Sequence, residues 1–515
     1  MNHIELFSGC GGLALGLEKS GFNLIMANEL SPMAAETFSF NFFNENLSEN
    51  STNALWIKSN YEKENIKKRL KENPKTISND SGDIFSDIGK GTKLKGKLLI
   101  GSIIDLNKII ENDSSLLDQV NDRNIDGGLD LVSGGPPCQS YSMAGLREFG
   151  NERNTLPWEF SKFVNFVKPK FVLLENVSGI LRAFNDNGKK THAWHEVSKS
   201  FARINYVPIC LHINAKYIGI PQNRPRFILI GIREDIIKTL MLNFNDKELS
   251  MTKNSLDFYN EYHKNGDVNF GNLKYYDIDK ERYFFEGTFL SPLMNIDSQI
   301  VSVEDAIGDL SIIEKKDKST YVKNLNSTFS DILKPSKEIK NFDLRKNSLK
   351  VIKRFKIYQN MNLTSKKSYN ELKKIINGDI NTISDETMNE IRPLKFINDE
   401  EQYITLKNKE DAIKYFIENG TKKHSQKALD RNRPAPATLS IPDDACHYSD
   451  LRTLTVREMA RIQSFPDDFE FLSKVTTGGK MRSFEVPQYT QVGNAVPPLL
   501  GLALGNTIKN LIKKL

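Results

Sequence analysis

The feature that most constrains this chain is an alternation, up to residue 235, of short apolar runs with longer stretches of helix-compatible spacing. Such runs read as buried strands, here at residues 3–7, 24–28, 129–133, 171–175 and 227–232. Strands alternating with helices predict an α/β fold, a mostly parallel sheet with helices on both faces. Residues 44–97 break the rhythm with Asn, Lys, Ser and Gly, and are expected to form a surface insertion rather than a core element. Beyond residue 235 the alternation fades, and residues 314–427, rich in Lys, Asn, Asp and Ser, suggest a separate, smaller domain. Residues 492–504 turn apolar again and predict a helix that returns to a core.

At 515 residues the chain has room for two to four domains of ~150 residues each. With 39% hydrophobic and 26% charged residues, wholesale disorder and fibrous repeats are excluded. Lys and Arg exceed Asp and Glu by 71 to 65, a formal charge of +6 that permits a polyanionic partner without demanding one. Cys10, Cys138, Cys210 and Cys446 are too scattered for a zinc cluster, so no metal site is expected. Reduced thiols, no signal-peptide pattern and no apolar run near ~20 residues point to a cytoplasmic protein outside the membrane.

Phe7-Ser8-Gly9-Cys10-Gly11-Gly12 follows the first candidate strand and precedes a helix. In that context glycine lets a ligand approach backbone at a helix N-terminus, although a bare strand-to-helix turn looks the same. The second candidate strand ends at Glu29, where an acid can bind both hydroxyls of a ribose. Gly134-Gly135-Pro136-Pro137-Cys138 is an unusual setting for a structural cysteine, because prolines fix φ on the approach to the thiol and glycines admit a ligand. Glu175 ends an apolar strand, and its pKa should rise if it is desolvated; a strand-end salt bridge is the plainer alternative. Arg224 and Arg226, spaced by two in an extended segment, should share a face. The glycine turn, Glu29, Cys138 and Glu175 all lie just after predicted strands, where open α/β sheets bind ligands. A cysteine nucleophile, a glutamate and a nucleoside cofactor together describe addition to an activated ring followed by group transfer.

In order along the chain, IELFSGCGGLALGLEKSGF, NEL, GGPPCQSYS, LLENV, QNRPRF, RTLTVREMARIQSFPDDF and QVGNAVPPLLGLALG resemble the serial motifs of the cytosine-C5 DNA methyltransferases of bacterial restriction-modification type. Residues 303–310 resemble the end of that family's large domain. The resemblance implies an S-adenosylmethionine-dependent methyltransferase fold in residues 1–310, completed by 485–515, and a target-recognition domain in 311–484. It makes Cys138 the nucleophile at C6 of a flipped-out cytosine in double-stranded DNA, with Glu175, Arg226 and Arg224 supporting the ring. For S-adenosyl-L-methionine, which leaves as S-adenosyl-L-homocysteine, it implies contacts from Phe7, Ser8, Gly9, Gly11, Gly12, Glu29, Ser102, Ile103, Pro137, Leu156 and Asn494, with Thr155 along the same wall. Ser102 departs from the pattern, since the family commonly places an aspartate there. Ser140 to Asn154, with Arg147 and Arg153, resembles the family's loop that closes over DNA. The charges of residues 452–469 read as structural.

The resemblance further implies a monomer whose restriction endonuclease is a genetic rather than a physical partner. Three rival readings remain at this stage. An RNA cytosine-C5 methyltransferase would carry a Cys-Phe-Thr signature, which the chain lacks. A non-catalytic DNA-binding regulator would not need Cys138, Glu175, Arg224 and Arg226 together. A nicotinamide oxidoreductase leaves the cysteine loop unexplained.

Overall fold

A computed structural model describes the chain except for residues 50, 78–82, 121–127, 138–154, 187–188, 295–299, 422–424 and 438–440. Nine described strands form one sheet: β1 (Asn2–Leu6), β2 (Asn23–Glu29), β3 (Ala54–Trp56), β4 (Lys97–Ile100), β5 (Leu131–Gly134), β6 (Phe171–Val177), β7 (Tyr206–Asn214), β8 (Pro225–Arg233) and β9 (Tyr275–Asp277). Their order across the sheet is β9-β7-β8-β6-β5-β1-β2-β4-β3. From β3 to β6 every pairing is parallel, and β8 runs antiparallel between β6 and β7. The expected α/β class is therefore what the chain forms.

The order of connection reverses at β1, with β2 on one side and β5 on the other, so the crevice beyond their carboxyl ends is the topological switch point of the sheet. The glycine turn, Glu29 and the Gly134-Gly135 pair all open onto it. Beneath the crevice the main core includes Ile4, Leu6, Val132, Phe160, Phe163 and Leu173, all fully buried.

The C-terminal helix Pro498–Ile512 packs on helix Gly12–Lys19 at a separation that only glycine allows. A Cβ on Gly16 would lie 2.3 Å from Leu502 N and from Pro498 O, and one on Gly505 would lie 2.1 Å from Ser20 Oγ. The predicted return of the chain end to a core is thus a glycine-faced helix pair, and it binds the first segment of the chain to the last.

One expectation is overturned. Residues 44–97 are not merely a surface insertion, because β3 pairs with β4 as an edge strand and Leu47, Ala54, Trp56, Ile57 and Leu94 are buried. Arg69, 1% exposed, lies 2.8 Å from Asp87 and 5.4 Å from the Trp56 ring centroid, an ion pair that staples the segment onto the sheet edge. A three-residue strand inside polar sequence leaves no period to detect. The strands β4, β7 and β9 also went unread. Helices Leu349–Met361, Lys366–Asn377, Asp385–Ile391 and Lys409–Glu418 enclose a core of their own, with Phe355, Leu372, Ile391, Phe396 and Phe416 inside.

Candidate active site

The turn after β1 is bent by three left-handed residues, Phe7 (φ 55°), Gly9 (φ 56°) and Gly11 (φ 98°). For phenylalanine this conformation is uncommon and has to be held by its surroundings. Ser8 N donates to Asn28 O at 3.0 Å, while Gly9 N and Ser31 N each donate to a different oxygen of Glu29 at 2.8 Å. Glu29 therefore locks the glycine turn to the end of β2. Burial raises its pKa, and the backbone amides of Ser31, Gly9 and Leu30 oppose that shift. The Phe7 ring stacks on Phe160 at 6.4 Å and stays half-buried.

The glycines divide by task. A Cβ on Gly9 would meet nothing within 4 Å, so the crevice is open at that point, whereas one on Gly12 would lie 2.2 Å from Val496 O and one on Gly11 2.3 Å from the Phe42 ring. Ser8 Oγ is buried and has no hydrogen-bond partner among the described residues. Open space at Gly9, a half-buried aromatic face, a carboxylate and an unpartnered hydroxyl fit an adenosine with a polar tail, the chemistry of S-adenosylmethionine.

Further along the wall, Ser102 accepts from Ile104 N at 3.2 Å and caps helix Ile103–Asn112. Its hydroxyl is already committed to the helix, and Ile103 is buried beneath it. Asn28 Nδ2 holds the carbonyls of Leu99 and Gly101, at 2.9 and 3.0 Å, and so shapes the same turn. Leu156 opens helix Leu156–Val167 half-buried, Thr155 precedes it, and Pro137 and Asn494 are exposed.

At the end of β6, Glu175 Oε1 lies 2.7 Å from Arg226 Nε on the neighbouring β8. Register explains the encounter, since Arg226 pairs with Val177 and Ile228 with Glu175, which puts both side chains on one face of antiparallel neighbours. A Cβ on Gly135 would come within 3.0 Å of Glu175 Oε2, so the glycine after β5 is what admits the carboxyl. Asn176 Nδ2 donates to Pro136 O at 2.9 Å and ties the Gly-Gly-Pro-Pro approach to the same strand. Cys138, and with it Arg147 and Arg153, lies outside the described residues.

Arg224 has other partners than Arg226. Its Nη2 donates to Gly493 O and Ala495 O, both at 3.0 Å, and its Nη1 to Gln222 Oε1 at 3.2 Å. Gln222 Nε2 reaches Gln463 Oε1 at 3.1 Å, and Gln463 Nε2 reaches Val492 O at 2.8 Å. This buried network fixes the turn that carries Asn494. Asn176, Gln222 and Gln463 were given no site role in the reading of the sequence, although all three stand inside quoted motifs. An uncharged amide gives no local sign of being buried.

Among the described residues no group of His, Cys, Asp or Glu is placed to hold a metal ion, and no helix is long and apolar enough to cross a membrane. A switch-point crevice with a glycine turn, an acid at the second strand and a buried Glu–Arg pair beside a proline-directed loop is the frame of a cofactor-dependent group-transfer enzyme. The model of the C-5 cytosine-specific DNA methylases matches residues 1–70 and 104–510, and the chain belongs to that family. It is 27% identical over 518 residues to the type II methyltransferase M.DdeI of Desulfomicrobium norvegicum, covering 99% of this chain and 88% of that one. To M1.HphI of Haemophilus parahaemolyticus it is 25% identical over 511 residues, 99% and 86% of the two chains. A shorter likeness, 37% over 123 residues, joins it to the orphan methyltransferase M.SPRI of Bacillus phage SPR, across 23% of this chain and 27% of that one.

Proposed function

We propose that this DNA cytosine-C5 methyltransferase modifies a specific double-stranded sequence through a covalent Cys138 adduct, as the modification half of a restriction-modification system. The observation that carries the reading is the Glu175–Arg226 pair, lodged against Gly135 three residues before the cysteine. S-adenosylmethionine supplies a sulfonium methyl to the crevice, where Phe7 would face the adenine, Glu29 the ribose and Asn494 the remaining wall. The relatives named as type II methyltransferases support the restriction-modification role.

A cytosine ring is unreactive at C5 until a nucleophile adds at C6. Cys138 forms the S–C6 bond, while Glu175 engages the N3 edge and limits the charge that develops on the ring, with Arg226 holding Glu175 in place. Carbon C5 then takes the methyl group, and loss of the C5 proton expels the thiolate. An ordinary thiol is only a few per cent ionised near neutrality, so the loop has to favour the anion or accept its proton during attack. The base has to leave the duplex at a cost of a few kcal/mol, offset by pocket and phosphate contacts. Residues 311–484 would read the target through phosphate and groove-edge contacts.

The test is adduct formation. DNA carrying 5-fluorocytosine at the target should trap a denaturation-resistant complex with the wild-type enzyme, because fluorine cannot leave as a proton, and Cys138→Ala should give none. Bisulfite sequencing of cells expressing each form should show methylated cytosines only for the wild type. Residual turnover by Cys138→Ala would overturn covalent catalysis at that residue.

A further inference from the structure

Outside the methyl-transfer crevice, three side chains from three separate segments of the chain form a hydrogen-bonded line. Ser178 Oγ lies 2.9 Å from His212 Nε2, and His212 Nδ1 lies 3.1 Å from Asp277 Oδ2. Ser178 directly follows β6, His212 is on β7 and Asp277 on β9, where register sets it beside His212. The row Asn176, Phe227, His212 alternates with the row Glu175, Ile228, Leu211, so His212 faces the side of the sheet opposite Glu175.

The polarity of the line follows from its end. Asp277 Oδ1 accepts from Asp279 N at 3.0 Å, and Ile278 N donates to His212 O at 2.9 Å, so the aspartate is fixed by backbone. With the Asp277 carboxylate accepting, His212 Nδ1 is the donor, and in that tautomer Nε2 accepts from the Ser178 hydroxyl. A hydroxyl aimed at a histidine whose far nitrogen is oriented by a carboxylate is the arrangement of an activated serine nucleophile. The groups are reachable from solvent, since Ser178 is half-buried and the side chains of His212 and Asp277 keep 19% and 12% of their exposure. Tyr275, 6.3 Å from the imidazole, supplies an apolar wall.

We propose that Ser178, His212 and Asp277 form a second reactive site that takes acyl groups from carboxylic esters, independent of methyl transfer. Ser178 Oγ forms a bond to the carbonyl carbon while His212 Nε2 takes the hydroxyl proton. The ester C–O bond then breaks, and the alcohol leaves with that proton. Water, deprotonated by His212, releases the acid and restores the serine.

The full-length protein is treated with a fluorophosphonate probe and, separately, assayed with p-nitrophenyl acetate. Mass spectrometry should place the probe on Ser178, and the ester should turn over. Labelling should vanish in Ser178→Ala and fall about a hundredfold in His212→Gln, the scale of a lost general base, while both variants still methylate DNA. The wild-type labelling requires no variant to fold. Absence of probe on Ser178, or labelling that His212→Gln leaves unchanged, would overturn the proposal. So would loss of DNA methylation in Ser178→Ala without wild-type labelling, which would reduce the line to a brace for the strand that carries Glu175.

Discussion

Among the buried ion pairs of the described residues, two sets are built differently. Around helix Val456–Ile462, Arg452 contacts Glu458 at 2.7 Å and Asp450 at 2.8 Å, and Arg461 joins Asp467 and Asp309 at 2.7 and 2.6 Å. Their remaining lone pairs are taken as well: Glu458 closes a capping box with Thr455, and Asp450 accepts from Ser311 and Ile312. Burial would raise the pKa of Asp467, yet Arg461, Lys318 and Asn326 hold it well below the carboxylate range. The Glu175–Arg226 pair is simpler, with side chains 11% and 10% exposed, and among the described residues Arg226 is the partner of the Glu175 carboxyl. The carboxylates around helix Val456–Ile462 thus gather several donors each, while among the described residues Glu175 is held by one guanidinium.

That contrast can be broken by mutation. Arg452→Met should leave Asp450 and Glu458 buried without their cation and cost about 3–5 kcal/mol, seen as a fall in the thermal midpoint, while the protein that remains folded methylates normally. Well-folded Arg452→Met without activity would erase the distinction. Glu175→Gln should do the reverse, lowering single-turnover methylation about a hundredfold with DNA and cofactor affinities little changed, because its contact strengthens as charge develops on the ring. Equal losses in binding and in rate would make Glu175 a binding residue.

The sequence was most legible where backbone geometry or reactivity demands a particular residue. The glycine turn, the Gly134-Gly135-Pro136-Pro137 approach and the Glu175 strand end stood out because few residue types satisfy such positions. Their strand limits were close, with β1 at Asn2–Leu6 against the expected 3–7. Two arginines spaced by two were expected to share a face, but Arg224 precedes β8 and turns toward the Gly493 carbonyl, while Arg226 follows the pleat. Residues 44–97 were misread because an edge strand of three residues is held by Arg69 and Asp87, a contact across 18 positions that no local pattern records. The Ser178–His212–Asp277 line was equally invisible, its members being separated by 34 and 65 positions.

The same contrast of scaffold and site runs through the glycines. Gly16→Ala should destabilise the protein by about 1–3 kcal/mol, because its methyl would meet backbone atoms of the C-terminal helix at 2.3 Å and backbone cannot rotate aside. Gly9→Ala meets nothing within 4 Å, although its φ of 56° strains any L-residue. Its larger effect should therefore fall on cofactor affinity, and calorimetry with S-adenosylmethionine separates the two variants. Unimpaired binding by Gly9→Ala would move the cofactor away from the turn.

The smallest expected effect concerns acids behind the glycine turn. Burial raises Glu18 to about 7, against the backbone amide of Leu24. Burial, then Glu18, then Glu29 push Glu5 well above the ordinary range. A carboxyl whose folded pKa exceeds its unfolded value binds more protons in the folded state, so the stability it contributes is present below the unfolded pKa and is lost as pH rises through the folded one. For Glu18 that window runs from its ordinary value of 4.5 to about 7. Glu18→Gln removes the ionisation and keeps the shape, so it should stabilise the protein at pH 8 by on the order of 1 kcal/mol after solvent screening and change little at pH 5. Thermal midpoints measured at the two pH values give the answer directly. Equal shifts at both would mean that Glu18 acts through packing, and a loss at pH 8 would mean that its charge is compensated by a partner the helix Gly12–Lys19 does not itself provide.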